Sequence, residues 1–191
     1  MIKRYLRIIS WLGINESDIY EDSKRIEFSN QICCFYLVMT FFYVVVFLWI
    51  KLYIPMAILI LTILIYMLCF VLTKRRFFKA SNTMILINAT LAIYFSTAII
   101  GKDVGGQFFL VFLIPLVGML FQRESKFIKA LYILLPLFAF VFLEMTNYQF
   151  FYQIVLPTQI IKFLSISVFF VTCFMLYFMF QFYINIFQHV R

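Results

Sequence analysis

The stretch of sequence that decides the fold reads Phe41-Phe42-Tyr43-Val44-Val45-Val46-Phe47-Leu48. It is apolar throughout, so it lacks the alternation of apolar and polar residues that a membrane β-strand requires. Six long apolar stretches, the first of which contains this run, fill nearly all of the chain after Gln31. Stretches of such length match the thickness of a bilayer when they are helical. The sequence therefore predicts an all-α integral membrane protein.

The composition of the whole chain agrees with this interpretation. Apolar residues make up 65% of the 191 residues, and charged residues only 13%. A chain of this length holds one helical bundle, and too little remains outside the apolar stretches for a soluble catalytic domain. The net charge of +8 comes from basic residues in the loops, where they set orientation in the membrane. We therefore expect the lipid bilayer, and not nucleic acid, as a partner.

The polar breaks divide the chain into six predicted transmembrane helices. Because the links between them are short, successive helices are expected to form three antiparallel hairpins. Residues 1–31 should form cytoplasmic entry helices, with a basic amphipathic helix over 2–12 lying on the membrane surface; a frayed tail remains the alternative there. After an N-cap at Asn15, a polar helix over 16–31 should lead into the first span. The predicted membrane domain is 32–184, with spans 32–50, 54–73, 83–100, 107–122, 127–143 and 158–184.

The basic residues predict the orientation of these helices. Only Lys51, Lys102 and Lys162 of the 16 basic residues fall on one predicted side. The other 13 fall on the opposite side: Lys3, Arg4, Arg7, Lys24, Arg25, Lys74, Arg75, Arg76, Lys79, Arg123, Lys126, Lys129 and Arg191. Positively charged loops stay in the cytoplasm. We therefore expect a multi-pass membrane protein with both termini in the cytoplasm.

The sixth predicted helix is longer than a bilayer requires. No Gly or Pro interrupts the chain from Thr158 to Arg191, so the helix would measure roughly 50 Å against a hydrocarbon core of about 30 Å. Residues 185–191 would be its cytoplasmic exit. Its apolar residues recur at three- and four-residue steps, as in a coiled-coil seam: Ile166, Phe169, Phe170, Cys173, Tyr177, Phe180 and Ile184. This pattern predicts a homodimer through the sixth helix, with packing inside its own bundle as the rival interpretation.

Four ionisable residues cluster at the outer ends of the predicted helices 3 to 6. Lys102 and Asp103 lie in the turn Gly101-Lys-Asp-Val-Gly-Gly, Glu144 follows the fifth apolar run, and Lys162 lies about one turn inside the sixth helix. Ionisable groups near membrane depth are costly and mark functional sites by default. Paired across the end of the bundle, these residues would bind an unknown small or lipophilic ligand; a salt-bridged rim with snorkelling lysines is the alternative.

Five polar residues would extend this site toward the interior of the bundle. They are Asn88, Thr90, Ser96 and Thr97 in the third span and Gln107 at the start of the fourth. Polar residues at such positions also hold membrane helices together through hydrogen bonds, and that role is the competing interpretation.

No sequence pattern indicates catalysis, a metal site or a cofactor. The four cysteines, Cys33, Cys34, Cys69 and Cys173, lie inside predicted spans, where they act as small apolar residues. The one histidine, His189, lies close to the end of the chain and cannot anchor a site within the membrane. The short motifs of hydrolases, zinc proteases and phosphate-binding loops do not occur. We therefore predict that this chain is not an enzyme.

Three segments resemble the membrane input regions of bacterial class III adenylate/guanylate cyclases and sensor histidine kinases. They are residues 13–27 (Gly-Ile-Asn-Glu-Ser-Asp to Ser-Lys-Arg-Ile-Glu), residues 101–115 (Gly-Lys-Asp-Val-Gly-Gly and the apolar run to Pro) and residues 135–148 (Leu-Pro-Leu to Leu-Glu-Met-Thr-Asn-Tyr). The resemblance implies a dimeric receptor or regulator module of the bacterial cytoplasmic (inner) membrane, whose sixth helix feeds a cytoplasmic output domain. The present sequence stops at Arg191 before any such domain, so it would be either the membrane domain of a longer protein or a stand-alone relative. A small transporter or channel, or a structural subunit of a larger membrane complex, remains an alternative function.

Overall fold

The computed structural model of this chain is helical, as predicted. It describes residues 12, 14, 20–122, 124–148 and 154–188. Over these residues it contains α-helices, one short 3₁₀ helix and no β-strand. The predicted amphipathic helix over 2–12, the N-cap at Asn15 and the histidine at 189 fall essentially outside the described residues. The all-α class is confirmed.

Six α-helices make up the described part of the chain. In chain order they are α1 (Tyr20–Trp49), α2 (Tyr53–Lys74), α3 (Phe78–Ile100), the 3₁₀ helix (Lys102–Val104), α4 (Phe108–Leu120), α5 (Lys126–Met145) and α6 (Thr158–Gln188). Five of the α-helices are long and apolar enough to cross a membrane, as a multi-pass membrane protein requires: α2, α3, α5, Ile26–Trp49 of α1 and Thr158–Gln181 of α6. The exception is α4, whose 13 residues extend only about 20 Å.

Three helices end in the same way, at a charged or polar residue whose backbone is in the left-handed region. Lys51, Arg76 and Asn147 have positive φ angles of 59°, 66° and 47°. In each case the amide of the following residue bonds to the carbonyl five residues before it, as Leu52 does to Phe47 at 2.8 Å. These left-handed caps satisfy carbonyl groups that a helix end would leave unpaired. They stop α1, α2 and α5 abruptly and make the following turns short.

The chain divides into two compact units, residues 1–89 and 90–191. In the first unit α1 packs against α2, and the ring of Tyr36 stacks on that of Tyr66 with 5.8 Å between centroids. Neutral polar groups tie α2 to the first part of α3. The Ser81 hydroxyl donates a 3.0 Å hydrogen bond to the Cys69 carbonyl and lies 3.0 Å from the Thr73 hydroxyl. Such hydrogen bonds hold helices together where apolar burial distinguishes poorly between protein and lipid.

The second unit is built around α4. Leu110, Leu113, Leu116 and Val117 of α4 are fully buried, and α4 contacts both α5 and α6. Ser125 caps α5, because its hydroxyl accepts a hydrogen bond from the Ile128 amide at 3.3 Å. α6 also contacts the 3₁₀ helix. The unit therefore connects α6 to the turn between α3 and α4.

Candidate functional site

The turn between α3 and α4 depends on three glycines. Gly101 and Gly105 have φ angles of 98° and 79°, which side chains rarely tolerate. Gly106 is required for a different reason: a Cβ atom there would lie 2.6 Å from the Thr97 hydroxyl oxygen. The turn is therefore pressed against the end of α3, with Val104 buried beneath it. Lys102 and Asp103 are left exposed on its surface.

Lys102 reaches across to the end of α5. Its Nζ donates a 2.8 Å hydrogen bond to Glu144 Oε2, forming an ion pair. The two side chains are 60% and 34% exposed, so water screens the pair and its contribution to stability is small. Two of the four ionisable residues expected at this site are thus in direct contact.

Tyr148 completes a three-residue cluster of Lys102, Glu144 and Tyr148, called here the Lys–Glu–Tyr cluster. Its hydroxyl donates a 2.7 Å hydrogen bond to Glu144 Oε1, and the Lys102 ammonium lies 5.9 Å from the centroid of its ring. Burial, together with the hydrogen bond to Glu144 and its negative charge, raises the pKa of Tyr148. The phenol therefore keeps its proton and remains a donor at neutral pH.

Tyr148 is not among the site residues predicted from the sequence. Its four-residue spacing from Glu144 would indicate a contact if both residues lay in one helix. Because α5 ends at Met145, helical spacing alone does not bring the two side chains together. The contact depends on positive φ angles at Asn147 and at Tyr148 itself, 47° and 60°. A bulky residue in this region is an outlier, and such outliers concentrate at functional sites.

Gln107 lies next to this cluster along the chain and is almost fully buried. Its Nε2 donates a long 3.5 Å hydrogen bond to the Lys102 carbonyl. Its Oε1 has no hydrogen-bond partner in the described part of the chain. A buried amide oxygen without a partner is unfavourable and calls for an explanation.

The other predicted site residues are placed differently. Asp103 and Lys162 are exposed, and neither forms an ion pair or hydrogen bond with another residue that the structure describes. Asn88 belongs to the first unit, where its Nδ2 donates a 3.1 Å hydrogen bond to the Thr62 carbonyl. Asn88 therefore joins α3 to α2, which is the structural role that the sequence left open.

The chemistry of the cluster is that of charge recognition. The Glu144 carboxylate accepts from an ammonium group at one oxygen and from a phenol at the other. Within the described residues there is no group of three or more His, Cys, Asp or Glu side chains that could hold a metal ion.

Comparisons with known proteins add nothing to this interpretation, which therefore rests on the residues of this chain. No protein-family model, curated protein or solved structure matches the sequence or its fold.

Proposed function

We propose that this chain is a membrane sensory input module, with the Lys–Glu–Tyr cluster as its receptor site and α6 as its output helix. The observation that carries the proposal is the contact between α6 and the 3₁₀ helix that bears Lys102. Close to that contact, the Ile154 amide donates a 3.1 Å hydrogen bond to the Ile99 carbonyl at the end of α3. A change at the cluster therefore has a direct physical route to the start of α6.

The length of α6 supports its role as the output. Its 31 residues extend about 46 Å, some 16 Å more than the hydrocarbon core of a bilayer. If its first turns lie at the level of the cluster, its last turns lie beyond the opposite surface. A shift or rotation at one end would then be transmitted along a rigid helix to the other.

The topology that fits this function has six passes, three antiparallel hairpins and both termini in the cytoplasm of a bacterium. The asymmetry of basic residues supports this orientation. In this topology α4 is one of the six passes although it is short. The non-helical residues on either side of α4 would complete the crossing. The cluster then faces the outside and the exit of α6 faces the cytoplasm, where a cyclase or kinase output domain would receive the signal.

The module would act as a homodimer through α6. One face of α6 packs inside its own unit through Leu164, Val168, Met175 and Met179, which are buried. The predicted seam lies elsewhere on the helix, and all of its residues are exposed: Ile166, Phe169, Phe170, Cys173, Tyr177, Phe180 and Ile184. The seam is therefore free to meet the same helix of a second copy.

Oxidation of the native Cys173 tests the dimer. Copper phenanthroline added to membranes should produce a disulfide-linked dimer, because Cys173 lies within the seam and is exposed. Cys173→Ser should abolish the product and Cys34→Ser should not. A Gln181→Cys variant, on the cytoplasmic side, extends the test toward the exit. Absence of cross-linking at both positions would contradict the dimer.

A fusion tests the signalling function. A cyclase or kinase output domain is joined after Arg191, and its activity is compared among single substitutions in membranes. Glu144→Gln and Lys102→Gln should each change the output several-fold, because they break the cluster. Asp103→Asn and Lys162→Gln are matched controls that alter exposed charges without such a partner, and they should leave it unchanged. Equal output from all four variants would overturn the proposal.

One observation favours a transporter as a second candidate. Transporters place substrate sites at short or broken membrane helices, and α4 is short, contains Pro115 and begins beside the unpaired buried oxygen of Gln107. This alternative predicts uptake of a solute by proteoliposomes that hold only this chain. A sensory module predicts none.

A further inference from the structure

We propose that the Lys–Glu–Tyr cluster is a receptor site for a primary ammonium group, which Lys102 itself occupies when no ligand is bound. The inference rests on the proposed function only for the choice of site, and it names the chemistry of the ligand. A ligand would displace Lys102 from Glu144 and take over its contacts.

The arrangement around the Lys102 ammonium is that of an ammonium-binding site. A carboxylate oxygen lies 2.8 Å from the nitrogen, and an aromatic ring lies beneath it at 5.9 Å. Carboxylates supply charge-assisted hydrogen bonds to ammonium groups, and aromatic faces attract cations through their quadrupole. Nothing in these contacts depends on the ammonium belonging to a lysine.

The half of the site that would remain after Lys102 leaves is built independently of it. Glu144 is held on α5, and the Tyr148 amide donates a 3.1 Å hydrogen bond to the Leu143 carbonyl. The Tyr148 hydroxyl fixes the second oxygen of Glu144 at 2.7 Å. Because burial and Glu144 raise the pKa of Tyr148, this bond persists at neutral pH. The carboxylate therefore stays oriented for an incoming ammonium.

Lys102, in contrast, can leave readily. Its side chain is 60% exposed, and it lies on a three-residue 3₁₀ helix flanked by Gly101 and Gly105. Exposed ion pairs shift an equilibrium by at most about fivefold. A ligand that makes the same contacts needs only a modest additional interaction to compete.

The freed Lys102 supplies that interaction. It would be a cation close to a bound ammonium, and a neighbouring anionic group on the ligand would pair with it. The best ligand therefore carries an ammonium and a phosphate a few bonds apart. The surroundings suit a lipid headgroup as well as a free solute, because Met145 and Phe108, adjacent in sequence to Glu144 and Gln107, are large exposed apolar residues.

Binding to the full chain in detergent micelles tests this inference by native mass spectrometry. Phosphatidylethanolamine should bind at least about fivefold more tightly than phosphatidylcholine, whose quaternary ammonium has no N–H group to donate. Glu144→Gln should abolish that preference, and the matched Asp103→Asn should retain it. Equal binding of the two lipids by the native chain, or an undiminished preference in Glu144→Gln, would overturn the proposal.

Two further binding experiments identify the source of the ligand and the role of Lys102. Soluble phosphoethanolamine should compete with the lipid if the site opens to water; lipid binding without such competition assigns the site to the membrane headgroup. Lys102→Met should tighten the binding of ethylammonium by about two- to fivefold, because the internal competitor is gone. Lys162→Met removes an equal charge elsewhere and should not; equal effects from both variants would contradict occupancy by Lys102.

The outcome separates this inference from the proposed function, since binding is measured without an output domain. If ammonium binds but the activity of the fused output domain is the same in all four variants, only the signalling role is rejected. A response to Glu144→Gln in the fusion without ammonium binding would reject only the ligand proposed here.

Discussion

The two units of this chain use polar side chains in opposite ways. In the first unit, the hydroxyls of Ser81 and Thr73 are neutral and buried, and they lie within hydrogen-bonding distance of each other and of the Cys69 carbonyl. In the second unit, Lys102 and Glu144 are charged and exposed. The first set has no water to compete for its hydrogen bonds, so losing one leaves a group unpaired. The second set can exchange partners with water or a ligand at little cost.

This difference separates polar residues that hold helices together from polar residues suited to respond. Asn88 belongs to the first kind, since its side-chain amide donates a hydrogen bond to a carbonyl of the neighbouring helix. The Lys–Glu–Tyr cluster is of the second kind through its ion pair, because Lys102 and Glu144 are accessible to water, whereas the Tyr148 side chain is buried. The backbone beneath the cluster is fixed by close packing and left-handed caps. Substitutions can therefore test the side-chain contacts and the backbone separately.

The largest expected effect lies in the backbone beneath the cluster. Gly106→Ala places a Cβ atom 2.6 Å from the Thr97 hydroxyl, and overpacking of this kind destabilises by about 1–3 kcal/mol. Gly118→Ala is the matched control, because a Cβ atom there meets nothing within 4 Å and alanine favours a helix. Unfolding in mixed micelles with increasing dodecyl sulfate measures both variants.

A second substitution identifies the cause of that loss. Thr97→Ala removes the hydroxyl that the new Cβ atom would meet, so it should restore much of the stability lost in Gly106→Ala. If the double variant is no more stable than Gly106→Ala alone, the close approach of the turn to α3 does not explain the cost.

The next effect concerns the neutral interface of the first unit. Ser81→Ala removes two hydrogen-bonded contacts between α2 and α3, and such bonds in membrane proteins contribute about 0.6 kcal/mol on average and up to about 1.7. Ser165→Ala is the control, because this half-buried hydroxyl has no hydrogen-bond partner in the described residues. Equal unfolding curves for the two variants would remove the distinction drawn between the units.

Much of this picture could be read from the sequence, and the exceptions have physical causes. The unbroken apolar run from Phe41 to Leu48 predicted helices, and the outlying charges predicted a cluster of Lys102, Asp103, Glu144 and Lys162 without saying which of them pair. The predicted fourth span, 107–122, contains a shorter helix, Phe108–Leu120, because residues 105–107 belong to the glycine turn and Phe121 and Gln122 already lie in the turn after the helix. Turn geometry of this kind is weakly encoded in an apolar pattern.

The composition of the site was harder to predict than its location. Asp103 and Lys162 have the right charge and lie near the right helix ends, but which of several nearby charges pair depends on side-chain direction, which spacing does not give. Tyr148 enters only because two consecutive residues adopt positive φ angles. Whether six passes and a dimer accompany this site remains a prediction.

A smaller effect on stability is expected from the ion pair itself. Glu144→Gln should shift the unfolding midpoint less than Ser81→Ala does, because an exposed pair is already screened by water. The shift should shrink further between low and high salt, while Ser81→Ala should not respond to salt. A large, salt-independent loss of stability in Glu144→Gln would place the cluster with the structural contacts.

The smallest effect is the dependence on pH that Tyr148 confers. Its folded-state pKa lies above the unfolded value of about 10, so its contribution to stability is complete below that value and is lost as pH rises through the folded pKa. The difference in unfolding midpoint between the native chain and Tyr148→Phe should therefore be constant from about pH 6 to pH 9. It should decline only at higher pH. A difference that already declines below about pH 9 would contradict the raised pKa of Tyr148.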